Sequence, residues 1–172
     1  MFLAHSRSRL GQLFLQTWRP MKHSFRTLLC SLLILVAFPL SGQSGGMNQV
    51  SIATATGSAT WVVELASDNA SRSKGLMYRK QMAAQTGMLF RFQQSRVVSM
   101  WMKNTFIPLD MIFANQAGVV THIHRGAVPH SEAIISSRVP ARFVLEVNAG
   151  EADRYGIAVG NRLAHPWILP PG

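Results

Sequence analysis

The sequence predicts an α+β domain that is mostly antiparallel β-sheet, folded as a compact sandwich or partly closed barrel with two short helices. The chain has 172 residues, of which 48% are hydrophobic, enough for one domain with a proper core. Seven short runs of strand-forming residues follow one another, separated by turn residues. The two helical segments are too short, and too poor in apolar positions, to form a layer of their own.

The seven predicted strands begin near residue 50. In chain order they read VSIATAT, TWVVELA, GMLFRF, VVSMWMK, LDMIFA, VVTHIH and RFVLEV. Many short strands at this spacing are typical of antiparallel sheet. The turn NQAG at residues 115–118 predicts a hairpin between LDMIFA and VVTHIH.

Cap residues mark the two short helices. Asp68 can cap a helix in the segment ASDNASRSKG, and Gly75 can end it, because glycine tolerates the left-handed position after a helix. The segment GEADRYG carries acidic residues in its first turn, which suits the helix dipole, and Gly156 is the expected stop.

The beginning of the chain has the layout of a secretory signal peptide. Residues 28–40 are apolar and uncharged, follow a basic stretch and precede the small polar residues SGQSGG. These 13 residues are fewer than the roughly 20 that a helix needs to cross a bilayer, which favours a removed signal over a permanent span. A start at Met21 would give the same apolar run a compact basic head, so Met21 is the alternative start.

The sequence therefore predicts a signal peptide over residues 1–42, a flexible Gly/Ser-rich linker over 43–49 and a single β-rich domain over 50–172. The protein is expected to be exported, to the periplasm or the medium. Its one cysteine, Cys30, lies in the apolar run and is not preceded by the small residue expected before a lipidated cysteine. The mature domain is therefore expected to contain no disulfide.

The charge balance favours anionic ligands without specifying one. The formal net charge is +10, but five of the seventeen basic residues precede the apolar run. From residue 43 onward, twelve Lys and Arg residues face seven Asp and Glu residues, a net charge of +5. The expected export and the scattered positions of these cations argue against nucleic acid as a partner.

The stretch VVSMWMKNTFIPLD at residues 97–110 carries the main indication of a site. Because side chains alternate along a strand, Val98, Met100 and Met102 should face the core. Trp101 and Lys103 then share the opposite face. An indole beside an ammonium on that face is unusual unless the face is covered or binds a ligand.

Two acidic residues complete the polar set. Asp110 opens the strand after the turn NTFIP, and the expected role of its carboxylate is to accept backbone N–H groups. Alternation along that strand should place Leu109, Met111 and Phe113 on one face and Asp110 and Ile112 on the other. In RFVLEV, alternation buries Phe143, Leu145 and Val147 on one side and places Glu146 on the other. An ion pair from Arg79 or Lys103 to Asp110 or Glu146 could be purely structural.

The leading hypothesis is a binding or accessory module, without a cofactor, that recognises a small anionic or sugar-like ligand at the Trp101/Lys103 face. The ring would stack on the ligand and the ammonium would bind its oxygens. The candidate ligand-binding residues are Arg79, Trp101, Lys103, Asn104, Thr105, Asp110 and Glu146.

Two alternatives remain open. One is a metal-dependent enzyme that binds Zn²⁺ or another divalent metal through His122, His124, His130 and Glu132. The other is a module that docks on an envelope protein through its edge strands or the Trp101 face. No nucleophile elbow, P-loop or dinucleotide-binding motif is present. The sequence does not fix the oligomeric state.

Five segments resemble the bacterial and archaeal family catalogued as domain of unknown function 192. They are GLMYR at 75–79, GMLF at 87–90, WMKNTFIPLD at 101–110, VLEVNAG at 144–150 and GIAVGNRL at 156–163. The resemblance covers about residues 62–163. It implies a compact, mostly antiparallel β domain with short helices, often exported, and no established activity. Asn161 stands where the family's G-D-R ending has an aspartate, and residues 129–138 also differ from the usual pattern.

Overall fold

The computed structural model describes residues 46–168, which form seven strands and two short helices. The predicted signal peptide and Cys30 lie outside the described residues. The elements in chain order are β1 Gln49–Thr54, β2 Gly57–Ala66, α1 Asn69–Lys74, β3 Thr86–Met100, β4 Leu109–Ala114, β5 Val120–Ala127, β6 Ile135–Asn148, α2 Glu151–Arg154 and β7 Arg162–Ala164.

All seven strands form one mixed sheet in the order β5-β4-β6-β3-β2-β1-β7. Every pair in it is antiparallel except β2 with β3, which is parallel. The mostly antiparallel β-fold with two short helices is therefore confirmed. The parallel pair arises because α1 and a long loop lie between β2 and β3 and allow the chain to cross over.

The pairing of β3 with β6 differs from the predicted strand pattern. GMLFRF and VVSM belong to one long strand, and its partner β6 begins at Ile135, well before the predicted start. The register shifts between Arg91 and Arg96, where the polar residues QQS interrupt the hydrophobic pattern. The prediction split β3 at this irregularity. It also missed β7, whose three residues are too few to show a pattern.

The sheet curls into a half-barrel whose two edges approach each other. Val119, just before β5, forms an isolated bridge with Arg162 of β7. The Leu163 N–H donates to the Gly118 carbonyl at 2.8 Å. Gly118 ends the predicted hairpin turn between β4 and β5 with φ of 77°, and a Cβ there would lie 2.7 Å from the Leu163 carbonyl oxygen. Only glycine fits this contact.

Each face of the sheet packs against its own hydrophobic cluster. The inner cluster fills the curl, and the outer cluster lies on the opposite face, beneath the loop that follows α1 and the segment between β3 and β4. In β4, which is buried along its whole length, Ile112 belongs to the inner cluster while Met111 and Phe113 belong to the outer one. The predicted alternation in β4 is thus confirmed, as is that of Phe143, Leu145 and Val147 on the inner face of β6.

The helix caps follow the sequence. The Asp68 carboxylate accepts the Ser71 N–H at 2.9 Å, and Gly75 ends α1 with φ of 49°. In α2 the acidic first residue does more than suit the helix dipole. Glu151 is buried, and its carboxylate accepts both the Trp61 indole N–H at 2.5 Å and the Gln85 backbone N–H at 2.9 Å.

Asp110 is fully buried and holds three backbone segments together. Its carboxylate accepts the N–H groups of Gly126 at 2.8 Å and of Gly150 and Ala152 at 2.9 Å each. These donors lie in β5, before α2 and in α2. The expected backbone role of Asp110 is confirmed, and all these hydrogen bonds anchor the fold.

The described residues begin with part of the predicted linker. β1 starts at Gln49, one residue earlier than predicted, and the carbonyls of Met47 and Asn48 accept hydrogen bonds from His165 and Val63. Within residues 46–168, no helix has the length and apolar character that a bilayer crossing requires.

Replacing Asp110 with leucine should lower the free energy of unfolding by about 3 kcal/mol, because the N–H groups of Gly126, Gly150 and the buried Ala152 would all lose their acceptor. Urea denaturation followed by tryptophan fluorescence measures this change. The control is Asp153→Ala, which removes only an exposed ion pair with Arg125 and should cost less than about 1 kcal/mol. Equal losses in the two variants would contradict the anchoring role.

Candidate ligand pocket

A cavity of about 560 Å³ opens between α1 and the outer face of β3. Its apolar wall includes Leu76, Phe90, Phe92 and Met100, and polar side chains from α1 and β3 line the rest. Its size falls in the range of small-molecule sites, and polar groups make up more of its lining than apolar ones. The cavity is therefore the candidate site.

Glu146 lies at the base of this pocket and has an unusual environment. On β6 it stands opposite Met111 of β4 on one side and opposite Met88 of β3 on the other. The residue is only 4% exposed, and within residues 46–168 no salt bridge and no side-chain hydrogen bond involves its carboxyl. No fully buried side-chain oxygen or nitrogen atom in these residues lacks a partner, so the carboxyl oxygens keep some accessible surface toward the pocket. Burial raises the pKa of Glu146 to about 8. At neutral pH the carboxyl is mostly protonated and can donate a hydrogen bond into the pocket.

The mouth of the pocket is cationic. Arg72, Lys74 and Arg96 line it, and Glu146 is the one acidic lining residue. The guanidinium groups of Arg72 and Arg96 lie 5.6 and 5.3 Å from the centroid of the Phe92 ring. Arg72 is held by the carbonyls of Ser67 and Arg91. The pocket therefore combines positive charge at its opening with a neutral acid at its base.

Trp101 and Thr105 line the pocket on the side opposite α1. Trp101 is 48% exposed, so its ring is not covered by a loop, and the Lys103 ammonium lies 5.8 Å from the ring centroid. The predicted sharing of one face by Trp101 and Lys103 is confirmed, although β3 ends at Met100, just before them. Thr105 is buried, and its hydroxyl donates to the Lys103 carbonyl at 3.2 Å.

Four of the predicted ligand-binding residues are committed to contacts outside the pocket. Asp110 binds the backbone, as described above. The Arg79 guanidinium forms two hydrogen bonds with the Glu64 carboxylate, at 2.6 and 2.7 Å, which lower the pKa of Glu64. Lys103 lies 3.8 Å from Glu132, and the Asn104 amide donates to the Tyr78 hydroxyl at 3.0 Å.

The suggested ion pairs from Arg79 or Lys103 to Asp110 or Glu146 are thus wrong. Both cations pair with exposed carboxylates of neighbouring loops or strands, where the ions stay hydrated. Of the seven predicted residues, Trp101, Thr105 and Glu146 come together in the pocket, and Lys103 lies beside the indole.

The four residues of the alternative metal site are not brought together. His122 stacks on Phe113 with ring centroids 5.7 Å apart, and His130 lies 5.0 Å from Phe106. Glu132 pairs with Lys103. In the described part of the chain, no group of three or more His, Cys, Asp or Glu side chains is arranged to hold a metal ion.

The sequence analysis missed the cations and aromatic side chains of the pocket wall. Arg72 and Lys74 lie in the last turn of α1, and Phe92 and Arg96 flank the irregular part of β3. Their only sequence signal is a high local density of basic residues. What assembles them is the position of α1 over the sheet, which the strand pattern does not determine.

Comparison with known proteins identifies the family. Residues 51–165 match the model of DUF192, described as Uncharacterized ACR, COG1430. The chain belongs to the DUF192 family. The resemblance over residues 62–163 is thereby confirmed, and the DUF192 match extends it to β1 and to the residue after β7.

Two solved structures resemble this DUF192 protein. One, from Sinorhizobium meliloti 1021, is described as a "putative transcription regulator"; it is 52% identical, with a TM-score of 0.67, and the match covers 69% of this chain and 93% of that one. The other is a protein of unknown function from Novosphingobium aromaticivorans DSM 12444. It is 35% identical, with a TM-score of 0.66, and the match covers 67% of this chain and 83% of that one. No curated protein matches the chain.

Glu146→Gln should change how stability depends on pH. Because the folded-state pKa of about 8 lies above the ordinary value of 4.5, the native state binds the proton more tightly than the unfolded state does. The wild type should therefore lose stability as pH rises from about 5 to 8, by up to roughly 4 kcal/mol, while the glutamine variant should not.

Urea denaturation of both proteins at pH 5 and pH 9 measures this difference. Glu132→Gln is the matched control, because the Glu132 side chain is 65% exposed and the substitution removes a carboxyl without changing a buried site. The measured quantity is the difference in free energy of unfolding between the wild type and the Glu146→Gln variant. If this difference is the same at pH 5 and pH 9, the Glu146 carboxyl is solvated and the prediction is wrong.

Proposed function

We propose that this DUF192 domain is a binding module that takes a small anionic or sugar-like ligand in the pocket between α1 and β3. The observation that carries the proposal is the Glu146 carboxyl, nearly buried and without a partner, at the base of a 560 Å³ cavity. No fully buried side-chain oxygen or nitrogen atom of the described residues lacks a partner, so the carboxyl oxygens keep some surface toward the cavity. A ligand in the cavity can therefore form hydrogen bonds with this carboxyl.

Two features of the pocket support this ligand class. The cations at the mouth would attract a negative charge, and no ionised carboxylate lines the pocket to oppose it while Glu146 is protonated. The half-exposed ring of Trp101 offers a flat apolar surface on which a sugar ring or an aromatic group could stack. Lys103 lies over the same ring and could bind an oxygen of the stacked group.

We further propose that the domain works outside the cytoplasm. The apolar run of residues 28–40 with its basic flank and small polar residues beyond supports export. A domain without cysteine needs no disulfide chemistry to fold in an oxidising compartment.

A second candidate is docking on an envelope protein through the surface beside the pocket mouth. Tyr78 and Phe106 are exposed and contact each other edge to face, and they follow the pocket-lining residues Met77 and Thr105 in the chain. Exposed apolar side chains in a group favour protein contacts. Docking through the sheet edges has less support, because the bridge at Val119 ties one edge to the other.

The description of the Sinorhizobium protein as a transcription regulator concerns that protein, and the helices described here give it no support in this chain. A helix-turn-helix protein places a recognition helix in the major groove. Within residues 46–168 the helices have six and four residues. Neither offers the length of a recognition helix.

Replacing Trp101 with alanine should weaken ligand binding about tenfold without unfolding the domain, because the ring is exposed and contributes stacking surface. A thermal-shift screen of residues 43–172 against organic anions, sugars and cell-wall fragments identifies the ligand, and titration calorimetry compares the variants. Phe106→Ala is the matched control, since Phe106 is an exposed aromatic residue of the same loop that does not line the pocket. Equal affinity in the wild type and the Trp101→Ala variant would contradict the proposed site.

A further inference from the structure

The base and the mouth of the pocket differ in the chemistry that they offer. The base presents a single carboxyl, and the mouth presents several cations on α1 and β3. Apolar side chains, including Leu76 and Phe90, line the pocket as well. A ligand that satisfies both ends must therefore have two different polar groups joined by an apolar body.

We infer, on the basis of the proposed function, that the ligand is a small organic acid with an apolar body. The Glu146 carboxyl donates a hydrogen bond to a carbonyl or hydroxyl oxygen of that ligand. The ligand's own carboxylate then lies at the mouth, near Lys74 and Arg96. Within residues 46–168, neither of these two cations has a carboxylate at ion-pair distance.

The geometry favours a proton donor over an ionised Glu146. The carboxyl is 4% exposed and is flanked on its two neighbouring strands by Met88 and Met111. An ionised carboxylate there would have no ion-pair partner within residues 46–168 and little contact with water. Arg72, which could otherwise reach into the pocket, is held by the carbonyl of Arg91 at 3.0 Å and by Asn69 at 2.5 Å.

A cationic ligand is the chemical alternative, since an amine could pair with an ionised Glu146. The cations at the mouth oppose it, because Arg72, Lys74 and Arg96 would repel a positive ligand that enters between them. The charge arrangement thus favours an anion whose far end is neutral and accepts a hydrogen bond.

Four matched probes separate these cases by calorimetry at pH 7. (4-Acetylphenyl)acetate carries the acceptor oxygen and the carboxylate. (4-Isopropylphenyl)acetate has the same shape without the acceptor, [4-(1-aminoethyl)phenyl]acetate replaces the acceptor with an ammonium group, and 4-methylacetophenone lacks the carboxylate. The acetyl acid should bind at least about tenfold more tightly than each of the other three, because a buried donor left unpaired costs about 1–3 kcal/mol.

The acetyl acid should also bind about tenfold more weakly at pH 9 than at pH 7, because the protonated fraction of a carboxyl with a pKa of about 8 falls by that factor. Its own carboxylate is ionised throughout this range. The other titratable or charged groups around Glu146 include Arg72 and Lys74 on α1, Arg96 on β3, His124, which stands opposite Met111 on β5, and Glu64, which stands opposite Met88 on β2 and pairs with Arg79.

Two variants of Glu146 assign the effect to this residue. Glu146→Gln keeps a neutral N–H donor, so it should bind the acetyl acid within about threefold of the wild type at pH 7 and with no loss at pH 9. Glu146→Leu removes the donor and should bind the acetyl acid and the isopropyl acid equally. Thermal unfolding of each variant verifies that it is folded.

The outcomes distinguish the inference from the proposed function. In one outcome, the acetyl and isopropyl acids bind equally to the wild type, and both bind more weakly to the Trp101→Ala variant. The proposed binding site is then supported and the inferred role of Glu146 is wrong. Tightest binding of the aminoethyl acid would show that Glu146 acts as an anion and would overturn the inference. The same pH dependence in Glu146→Gln and the wild type, or no binding of any probe at millimolar concentration, would overturn it as well.

Discussion

The pairing of the long strands β3 and β6 is the constraint on which the rest of the structure depends. These two strands sit at the centre of the sheet, and their alternating side chains supply residues to both hydrophobic clusters. Gly87 lets their backbones come close, because a Cβ at this position would lie 2.2 Å from the Glu146 carbonyl oxygen. The same pairing buries the Glu146 side chain on the outer face and so places a carboxyl where water has little access.

The buried acidic residues of the described part of the chain fall into two physical classes. Asp110 and Glu151 are buried, and their carboxylates are satisfied by backbone or indole N–H groups, so they stabilise the fold. Glu146 is equally buried but within the described residues has no such donor. Carboxylates that stabilise the fold explain why a polar residue can stand in a hydrophobic strand. A carboxyl that lines a cavity and has no protein partner indicates a ligand-binding site.

Strand alternation and turn residues were enough to predict the fold class, the two caps at Asp68 and Gly75, and the burial of Met111 and Leu145 on opposite faces. These features depend on neighbours in sequence. The parallel pairing of β2 with β3 and the joining of two predicted strands into β3 depend on distant partners, which a single sequence does not display.

The pocket was predictable only in part, for the same reason. Trp101, Thr105 and Glu146 stood out because polar or aromatic residues interrupt hydrophobic runs. Arg72, Lys74 and Arg96 did not, since their role follows from where α1 lies on the sheet. Arg79 and Asn104 were selected for their residue type, and the structure places both in contacts between surface segments, with Glu64 and Tyr78.

The central claim is that Glu146 keeps its proton at neutral pH while facing a cavity. A ¹³C NMR titration of the glutamate side-chain carboxyls, with assignment by the signal missing from a Glu146→Gln sample, tests it most directly. The account predicts that this carboxyl titrates at a pH of about 8, well above the ordinary glutamate value of 4.5. A Glu146 signal that titrates near pH 4.5 would contradict it.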